Sequence, residues 1–174
     1  MKYYISDTHF GHKKLIQMSP SLQRYGQSYD ILERNIIEAW NNKVKLGDLV
    51  YHLGDFMFYK DLDNALRLID ALNGQIYFIL GNHDDSKIFY NNKLLKKVAK
   101  VTREATKIKD GDNTIILHHY PMWDWQSMWR GSYHFYGHIH EENRYPRPKS
   151  YYVGMESIGI APLSFEEIIK GELK

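Results

Sequence analysis

The chain has no cysteine among its 174 residues, which excludes disulfide bonds and thiolate metal sites and fits a reducing compartment. It also has no apolar run near the roughly 20 residues that a membrane-spanning helix needs, so no membrane association is expected. The apolar run at its N-terminus is too short for a signal peptide. We therefore expect a cytoplasmic protein.

A large charge of either sign is missing as well. The formal net charge of +2 neither requires nor excludes a nucleic-acid partner. Apolar residues make up 43% of the chain and charged residues 25%, as in ordinary globular proteins. No linker, repeat or low-complexity tract divides the sequence, so residues 1–174 are expected to form one domain with a substantial core.

The first half of the chain alternates between strand-like and helix-like patterns. Ser28 and Asp61 are suited to cap two of the helices, and Gly74 is suited to end the second. Strands are predicted over 2–6, 49–53 and 76–80, and helices over 28–42, 62–72 and 86–99.

The second half is richer in strand patterns and favours antiparallel pairing. An Asp-Gly-Asp-Asn turn signal at 110–113 separates the first two strands, and Ser164 with Glu167 forms a capping-box pattern for a short last helix. The whole order predicts an α/β domain with a mixed sheet, or two packed sheets, covered by helices. The strands are predicted over 101–108, 114–117, 133–136 and 151–155.

Five short segments that follow predicted strands carry residues able to bind metal ions. Parallel-sheet proteins bind ligands beyond the carboxyl ends of their strands, because those ends share one edge of the sheet. The side chains of the five segments are therefore expected to lie close together at this edge of the sheet. They read Asp-Thr-His at 7–9, Gly-Asp at 54–55, Gly-Asn-His-Asp at 81–84, His-His-Tyr-Pro at 118–121 and Gly-His-Ile-His at 137–140.

The residue types in these segments suit a pair of divalent metal ions. Their oxygen and nitrogen donors fit Mn²⁺, Fe, Zn²⁺, Ni²⁺ or Mg²⁺. The candidates are too many for one tetrahedral site, and the Asp55 carboxylate can bridge two cations. In extended backbone, residues two apart point the same way, so Asp7 with His9, and His138 with His140, can reach one cation together. Two such ions acidify a water and stabilise an in-line displacement at phosphorus.

His83 has a separate expected role. The leaving group of a phosphate ester needs a proton, and His83 is the histidine left over in the 81–84 segment. Asp84 beside it could orient and charge-stabilise the imidazole, as in a general acid. The alternative is that His83 is a further metal ligand.

In this order the five segments resemble the calcineurin-like metallophosphoesterase superfamily, and the opening Ser-Asp-Thr-His-Phe-Gly-His is similar to that of small bacterial and phage members. The resemblance implies a four-layer α/β/β/α sandwich with two mixed β-sheets and a dinuclear metal site, with manganese favoured. It implies that His83 sits over a metal-bridging hydroxide and the leaving group. The implied ligands are Asp7, His9, Asp55 and His140 for one metal, and Asp55, Asn82, His119 and His138 for the other.

Two placements depend on position as well as residue type. Gly47-Asp48 is a second Gly-Asp pair, but it precedes the strand predicted at 49–53, whereas Asp55 follows that strand. Asp48 is therefore expected to be a turn residue. His118 and His119 are adjacent, and the His-x-Pro pattern of the superfamily selects His119 as the ligand, which leaves His118 a structural or supporting role.

The resulting hypothesis is a dinuclear metal-dependent phosphoesterase that acts on a small phosphate ester or a nucleotide. Many superfamily members continue the Gly-Asp motif as Gly-Asp-x-x-Asp, some with a following arginine that binds a phosphomonoester, but here residues 54–58 read Gly-Asp-Phe-Met-Phe. Phosphodiesters are therefore favoured over phosphomonoesters. The alternatives are a nuclease acting on nucleic acid and a non-catalytic scaffold on the same fold, although scaffolds tend to lose ligands that are all present here.

Candidate substrate contacts lie outside the ligand positions. Trp123, Trp125 and Arg130 could stack a base and hold a second phosphate, and the alternative is that the rings pack their loop onto the core. His12 could touch substrate or be an ordinary loop residue.

Two sets of basic residues have similar alternatives. Each is typical of a solvated surface, and each could instead contact substrate anions or nucleic acid. They are Lys93, Lys96, Lys97 and Lys100 on one face of the predicted third helix, and Arg144, Arg147 and Lys149 in the loop after His140.

Overall fold

The computed structural model describes residues 1–140 and 147–171, and the first of its two sheets is entirely parallel. Its strands pair in register, with Tyr4 opposite Tyr51 and Tyr51 opposite Tyr77. All four strands therefore end at one edge of the sheet. In spatial order they are β1 (Lys2–Ile5), β2 (Leu49–His52), β3 (Gln75–Ile79) and β4 (Lys100–Thr102).

Helices connect these strands, and most of their predicted ends are confirmed. Asp61 caps one helix by accepting a hydrogen bond from Asn64 N at 2.8 Å, and Gly74 follows that helix with a φ of 87°. Ser28 precedes another helix, but its side chain makes no capping bond within the described residues. The helices are α1 (Leu15–Met18), α2 (Tyr29–Lys43), α3 (Leu62–Ala71), α4 (Ser86–Phe89) and α5 (Asn92–Leu95), with a 3₁₀ helix over Pro20–Tyr25. In the part of the chain that the structure describes, none is long and apolar enough to cross a membrane.

The prediction of one helix over 86–99 is wrong, since the chain forms the two short helices α4 and α5 there. Asn91 lies between them in extended conformation, and its side chain accepts a hydrogen bond from Lys93 N at 3.0 Å. This cap starts a second helix instead of extending the first. Lys100 lies in β4, so among the described residues the four lysines do not form the expected helical stripe.

The second sheet is mixed, with one antiparallel pair and two parallel pairs. The prediction of antiparallel pairing in the second half of the chain is therefore correct only for the first hairpin. The strand predicted over 101–108 is divided between the two sheets. At the division, the Arg103 guanidinium donates hydrogen bonds to the carbonyls of Gly81 and Asp84. In spatial order the strands are β5 (Thr106–Asp110), β6 (Asn113–Leu117), β7 (Tyr133–Tyr136) and β8 (Ser150–Tyr152).

The chain after β8 differs from its prediction in one respect. The strand expected over 151–155 ends at Tyr152, and helix α6 (Met155–Ile158) begins within the predicted range. The last helix, α7 (Phe165–Ile169), begins with the predicted capping box, in which Ser164 and Glu167 exchange hydrogen bonds.

The two sheets pack face to face through aromatic side chains. The ring of Tyr4 in β1 meets the ring of Phe135 in β7 edge to face at 5.0 Å. On the opposite face of the first sheet, the ring of Phe78 in β3 lies 5.0 Å from that of Phe89 in α4. These contacts confirm the predicted α/β architecture of two packed sheets with helices on the first, although only the second sheet is mixed.

The loop between β6 and β7 covers the outer face of the second sheet. Trp125 is buried there with its ring 5.3 Å from that of His134, and its indole N–H donates to Ser132. Trp125 therefore packs its loop onto the core. Of the two roles considered for this ring, loop packing and substrate contact, the structure shows the first.

His134 makes the folded state sensitive to acid. It is fully buried, its Nε2 accepts a hydrogen bond from Met122 N, and burial lowers its pKa to about 4. The unfolded chain, with a histidine pKa of ~6.5, takes up this proton first as the pH falls, so stability is lost between pH ~6.5 and ~4. We expect about 3 kcal/mol from this group, at 1.36 kcal/mol per pKa unit.

Urea unfolding of the metal-free protein at several pH values measures this contribution. His134→Gln should flatten the acid slope of the unfolding free energy by close to one proton. A variant with the wild-type slope would show that His134 does not carry the effect.

Candidate metal centre

The five ligand-bearing segments meet at the carboxyl edge of the two sheets, joined by backbone hydrogen bonds. Asp7 N donates to Gly54 O at 3.0 Å, and His9 N donates to Asp55 O at 3.0 Å. Within the second sheet, Gly137 N donates to His119 O at 2.9 Å, and Ser6 N joins the two sheets by donating to Val153 O at 2.9 Å. The structure therefore brings the segments together as their strand-end positions predict.

The local geometry of these segments differs from the extended backbone that was expected. The left-handed region of backbone φ/ψ space is uncommon for residues other than glycine, and it costs about 1–3 kcal/mol for each residue that adopts it. Outside the predicted ligands, only two other described non-glycine residues adopt it. The paired side chains thus converge through left-handed turns and not through strand alternation. The ligands with positive φ are Asp7 (57°), His9 (46°), Asp55 (54°), His138 (76°) and His140 (51°).

Two glycines allow the turns to approach each other closely. A Cβ atom on Gly54, whose φ is 95°, would lie 2.5 Å from both Gly81 N and His119 Nδ1. A Cβ atom on Gly81 would clash with Asp55 Oδ1. The Gly-Asp and Gly-Asn sequences are therefore required by the contact between the two turns.

Four of the predicted ligands form a first ligand group, whose ligand atoms all lie within 4.8 Å of one another. His9 Nε2 lies 3.3 Å from His140 Nε2, and His140 Nε2 lies 3.9 Å from Asp7 Oδ1. Both carboxylates are buried. The members are Asp7, His9, Asp55 and His140.

A second ligand group shares Asp55 with the first. Ligand atoms of Asp55, His119 and His138 lie within 4.8 Å of one another. Asn82 Oδ1 lies 3.0 Å from both His119 Nε2 and His138 Nδ1, which places its amide oxygen in the same group. All seven predicted ligands therefore belong to two adjoining ligand groups, and Asp55 is common to both.

The electrostatics of the site fit bound cations. Asp55 Oδ2 is buried with no hydrogen-bond partner among the described residues, and such an atom is costly unless a cation compensates it. Burial raises the pKa of Asp7 to about 8, although Ser6 Oγ and His138 N donate hydrogen bonds to its carboxylate. Burial lowers the pKa of His9 to about 3 and that of His119 to about 4, which keeps these imidazoles neutral, as metal ligands must be.

Glu156 supports the first ligand group and was missed in the sequence. Its buried carboxylate accepts hydrogen bonds from His140 Nδ1, Ser19 Oγ and Tyr152 OH, each at 2.8 Å. The bond from Nδ1 orients His140 so that Nε2 faces the other ligands. The available signal was that Glu156 is the sole charged residue between Lys149 and Glu166 in the sequence.

Glu156→Gln is expected to weaken metal binding by about 10–100-fold, because the neutral amide orients and polarises His140 less strongly. Turnover at saturating metal should stay close to that of the wild type. Mn²⁺ titration followed by electron paramagnetic resonance measures the affinity. Glu167→Gln is the matched control, since Glu167 is also a partly buried carboxylate but pairs with Lys43. Equal Mn²⁺ affinity of Glu156→Gln and wild type would contradict this positioning role.

His83 is exposed beside the first ligand group, with its ring 5.9 Å from that of His9. Asp84 does not play the expected orienting role among the described contacts, because its buried carboxylate binds backbone amides instead. Oδ2 accepts from Asp55 N and Gly81 N, and Oδ1 accepts from Phe56 N. Asp84 thus fixes the two turns that present the ligands.

The structure agrees with the two predictions that depend on position, Asp55 over Asp48 and His119 over His118. Asp48 lies at the opposite edge of the first sheet, where it accepts hydrogen bonds from the N-terminal amine and from Lys45 N. His119 is buried in the second ligand group, with its Nδ1 2.8 Å from Leu53 O. His118 points elsewhere, with its Nδ1 3.2 Å from Tyr120 O.

A cleft of about 450 Å³ opens onto the ligands. Four predicted ligands, His83 and the expected contact His12 line it, together with Leu15, Met18, Ser19 and Phe58.

The other predicted substrate contacts do not line this cleft within the described ranges. Trp123 is 75% exposed, and the Arg147 guanidinium stacks on its ring at 3.5 Å. Arg130 is exposed in the same loop as the buried Trp125. Arg144 lies outside the described residues.

Comparisons with known proteins agree with this geometry. A family model described as calcineurin-like phosphoesterase matches residues 3–105. The uncharacterized protein MJ1445 of Methanocaldococcus jannaschii is 30% identical over 97% of this chain and 89% of its own length. Among solved structures, the protein of unknown function AQ665 from Aquifex aeolicus has a TM-score of 0.74 at 27% identity, over 98% of each chain. A novel archaeal phosphodiesterase shares the fold, with a TM-score of 0.51 at 20% identity over 91% of this chain and 84% of its own.

Proposed function

The chain belongs to the calcineurin-like phosphoesterase family, and on this premise we propose that it is a dinuclear metal-dependent phosphoesterase, with manganese favoured and phosphodiesters preferred over phosphomonoesters. The observation that supports this most strongly is the pair of ligand groups that share Asp55 beneath an open cleft.

Each part of the site would contribute a separate step. Two bound divalent ions would supply an activated water and positive charge for the phosphate. Asp55 belongs to both ligand groups, so its carboxylate would help to hold both ions, and the close contact of the Gly54 and Gly81 turns fixes its position. His83 is exposed at the cleft and would donate a proton to the leaving oxygen of the ester.

The preference for diesters follows from the charges around the cleft. The arginine that some superfamily members carry after the Gly-Asp motif has no counterpart in Gly-Asp-Phe-Met-Phe at 54–58, and the described lining contains no lysine or arginine. A phosphomonoester dianion would bring a second negative charge with no lysine or arginine in the described lining to pair with it, whereas a diester carries a single charge. The diester is therefore the better partner for this cleft.

One parallel assay tests the proposal. Mn²⁺-loaded protein is offered an aryl phosphodiester, the matching aryl phosphomonoester and 2′,3′-cyclic nucleotides, with metal-free protein as the control. We expect metal-dependent turnover that is faster for the diesters, and two ions per chain by metal analysis. Two bound ions without turnover of any ester would favour a non-catalytic scaffold, and faster monoester turnover would overturn the preference.

A further inference from the structure

We propose that the cleft beside the candidate metal centre is a subsite for an uncharged aromatic group attached to the phosphate, such as an aryl ring or a nucleoside base. This inference rests on the proposed function, since it specifies the substrate of that same site. The subsite is formed by four side chains, here called the apolar wall: His12, Leu15, Met18 and Phe58.

Two of the four residues of the apolar wall form a stacked aromatic pair next to the ligand groups. The rings of His12 and Phe58 stack with centroids 4.2 Å apart and planes within 9°. The Phe58 ring also lies 5.3 Å from that of His9 and 5.1 Å from that of His83. A phosphate held at the ligand groups would therefore carry its ester group directly onto this surface.

The two segments that carry the wall are fixed to each other by backbone bonds. Phe10 N donates to Phe56 O at 2.9 Å, and Phe58 N donates to Phe10 O at 2.7 Å. The Glu33 carboxylate accepts a hydrogen bond from Gly11 N at 2.9 Å, which fixes the start of the segment that carries His12. The subsite is thus formed before a ligand arrives, which lowers the ordering cost of binding.

Size and charge select the occupant. A volume of about 450 Å³ falls within the roughly 300–1,000 Å³ of small-molecule sites. Lys60, whose Nζ is 5.6 Å from the Phe58 ring centroid, is not part of the lining. Because the described lining contains no lysine or arginine, a second phosphate would lack such a partner there. A small aromatic group fits better than a polyphosphate or a nucleic-acid backbone.

Direct binding of two phosphonates to Mn²⁺-loaded protein tests the subsite without relying on turnover. Methylphosphonate and phenylphosphonate carry the same charged group, compared at a pH where both are dianions, and differ in the ring. Calorimetry should give a dissociation constant about tenfold lower for phenylphosphonate, as expected for one stacked ring.

Two variants of the apolar wall and one matched control test whether the wall causes the preference for phenylphosphonate. Met18 is 69% exposed and Leu46 is 81% exposed, but Leu46 precedes β2 at the opposite edge of the sheet. Met18→Asn and Phe58→Ala should reduce the phenyl preference to about twofold or less, with unchanged methylphosphonate affinity. Leu46→Asn should keep the full preference.

The outcomes separate the subsite from the proposed function. Equal affinity for the two phosphonates in the wild type, or a full preference in both wall variants, would overturn the subsite even if esters are hydrolysed. The predicted phosphonate pattern without hydrolysis of any ester would support the subsite and overturn the phosphoesterase function.

Discussion

Asp55→Asn is expected to lower phosphodiester turnover by about 10³-fold or more and to leave the protein unable to hold two ions. Asp55 is the one side chain shared by both ligand groups. Its Oδ1 is fixed by His83 N at 2.9 Å, while Oδ2 is free of hydrogen bonds in the described structure. Asparagine keeps the size of the side chain but puts an NH₂ group or a neutral oxygen where each cation needs a carboxylate oxygen.

Steady-state turnover and metal analysis of the purified variant measure this effect. Asp48→Asn is the matched control, because Asp48 belongs to the other Gly-Asp pair and lies at the far edge of the first sheet. The control should retain two ions and wild-type turnover. Loss of activity in Asp48→Asn together with normal activity in Asp55→Asn would reverse the assignment of the two pairs.

The positions of the ligands were predictable because strand ends are a local property of the sequence. Apolar runs locate β1, β2 and β3, and parallel pairing forces their carboxyl ends to one edge. The residue types at those ends then indicate the chemistry. The same reasoning separates Asp55 from Asp48, since it needs only the order of strand and motif.

The backbone of the ligand turns was not predictable, because it depends on contacts between distant segments. Asp7 and Asp55 adopt left-handed conformations that their own neighbours do not favour. Asp84 helps to hold them by binding the amides of the Gly54 and Gly81 turns. The orientation of His140 depends in the same way on Glu156, which is distant from the five segments in sequence.

The residues that line the cleft beside the ligands were only partly indicated by the sequence. The loop of Trp123 and Trp125 carries the conspicuous aromatic residues, but the Trp125 ring is buried, and the exposed Trp123 ring stacks on the Arg147 guanidinium. The wall of the cleft instead comes from Met18 and Phe58, which look like ordinary apolar residues in the sequence. Which of several rings faces a site depends on long-range packing.

His83→Ala should lower turnover of 2′,3′-cyclic nucleotides by about 10²–10⁴-fold while leaving metal content unchanged. The leaving ribose hydroxyl of such a substrate needs a proton, and His83 is the exposed imidazole at the cleft that no ligand group uses. An aryl diester with a nitrophenolate leaving group needs little protonation, so its turnover should fall much less. The dependence on the leaving group identifies proton donation, because a general loss of substrate binding would affect both esters.

The same comparison decides between the two roles considered for His83. His118→Ala is the matched control, since His118 adjoins a ligand yet its ring bonds to Tyr120 O. That variant should hydrolyse both esters at wild-type rates. If His83→Ala instead lost one ion and slowed both esters equally, His83 would be a metal ligand, and the proton for the leaving group would have to come from elsewhere in the cleft. Among the described residues His83 belongs to neither ligand group, and the seven predicted ligands form both groups without it, which argues for proton donation.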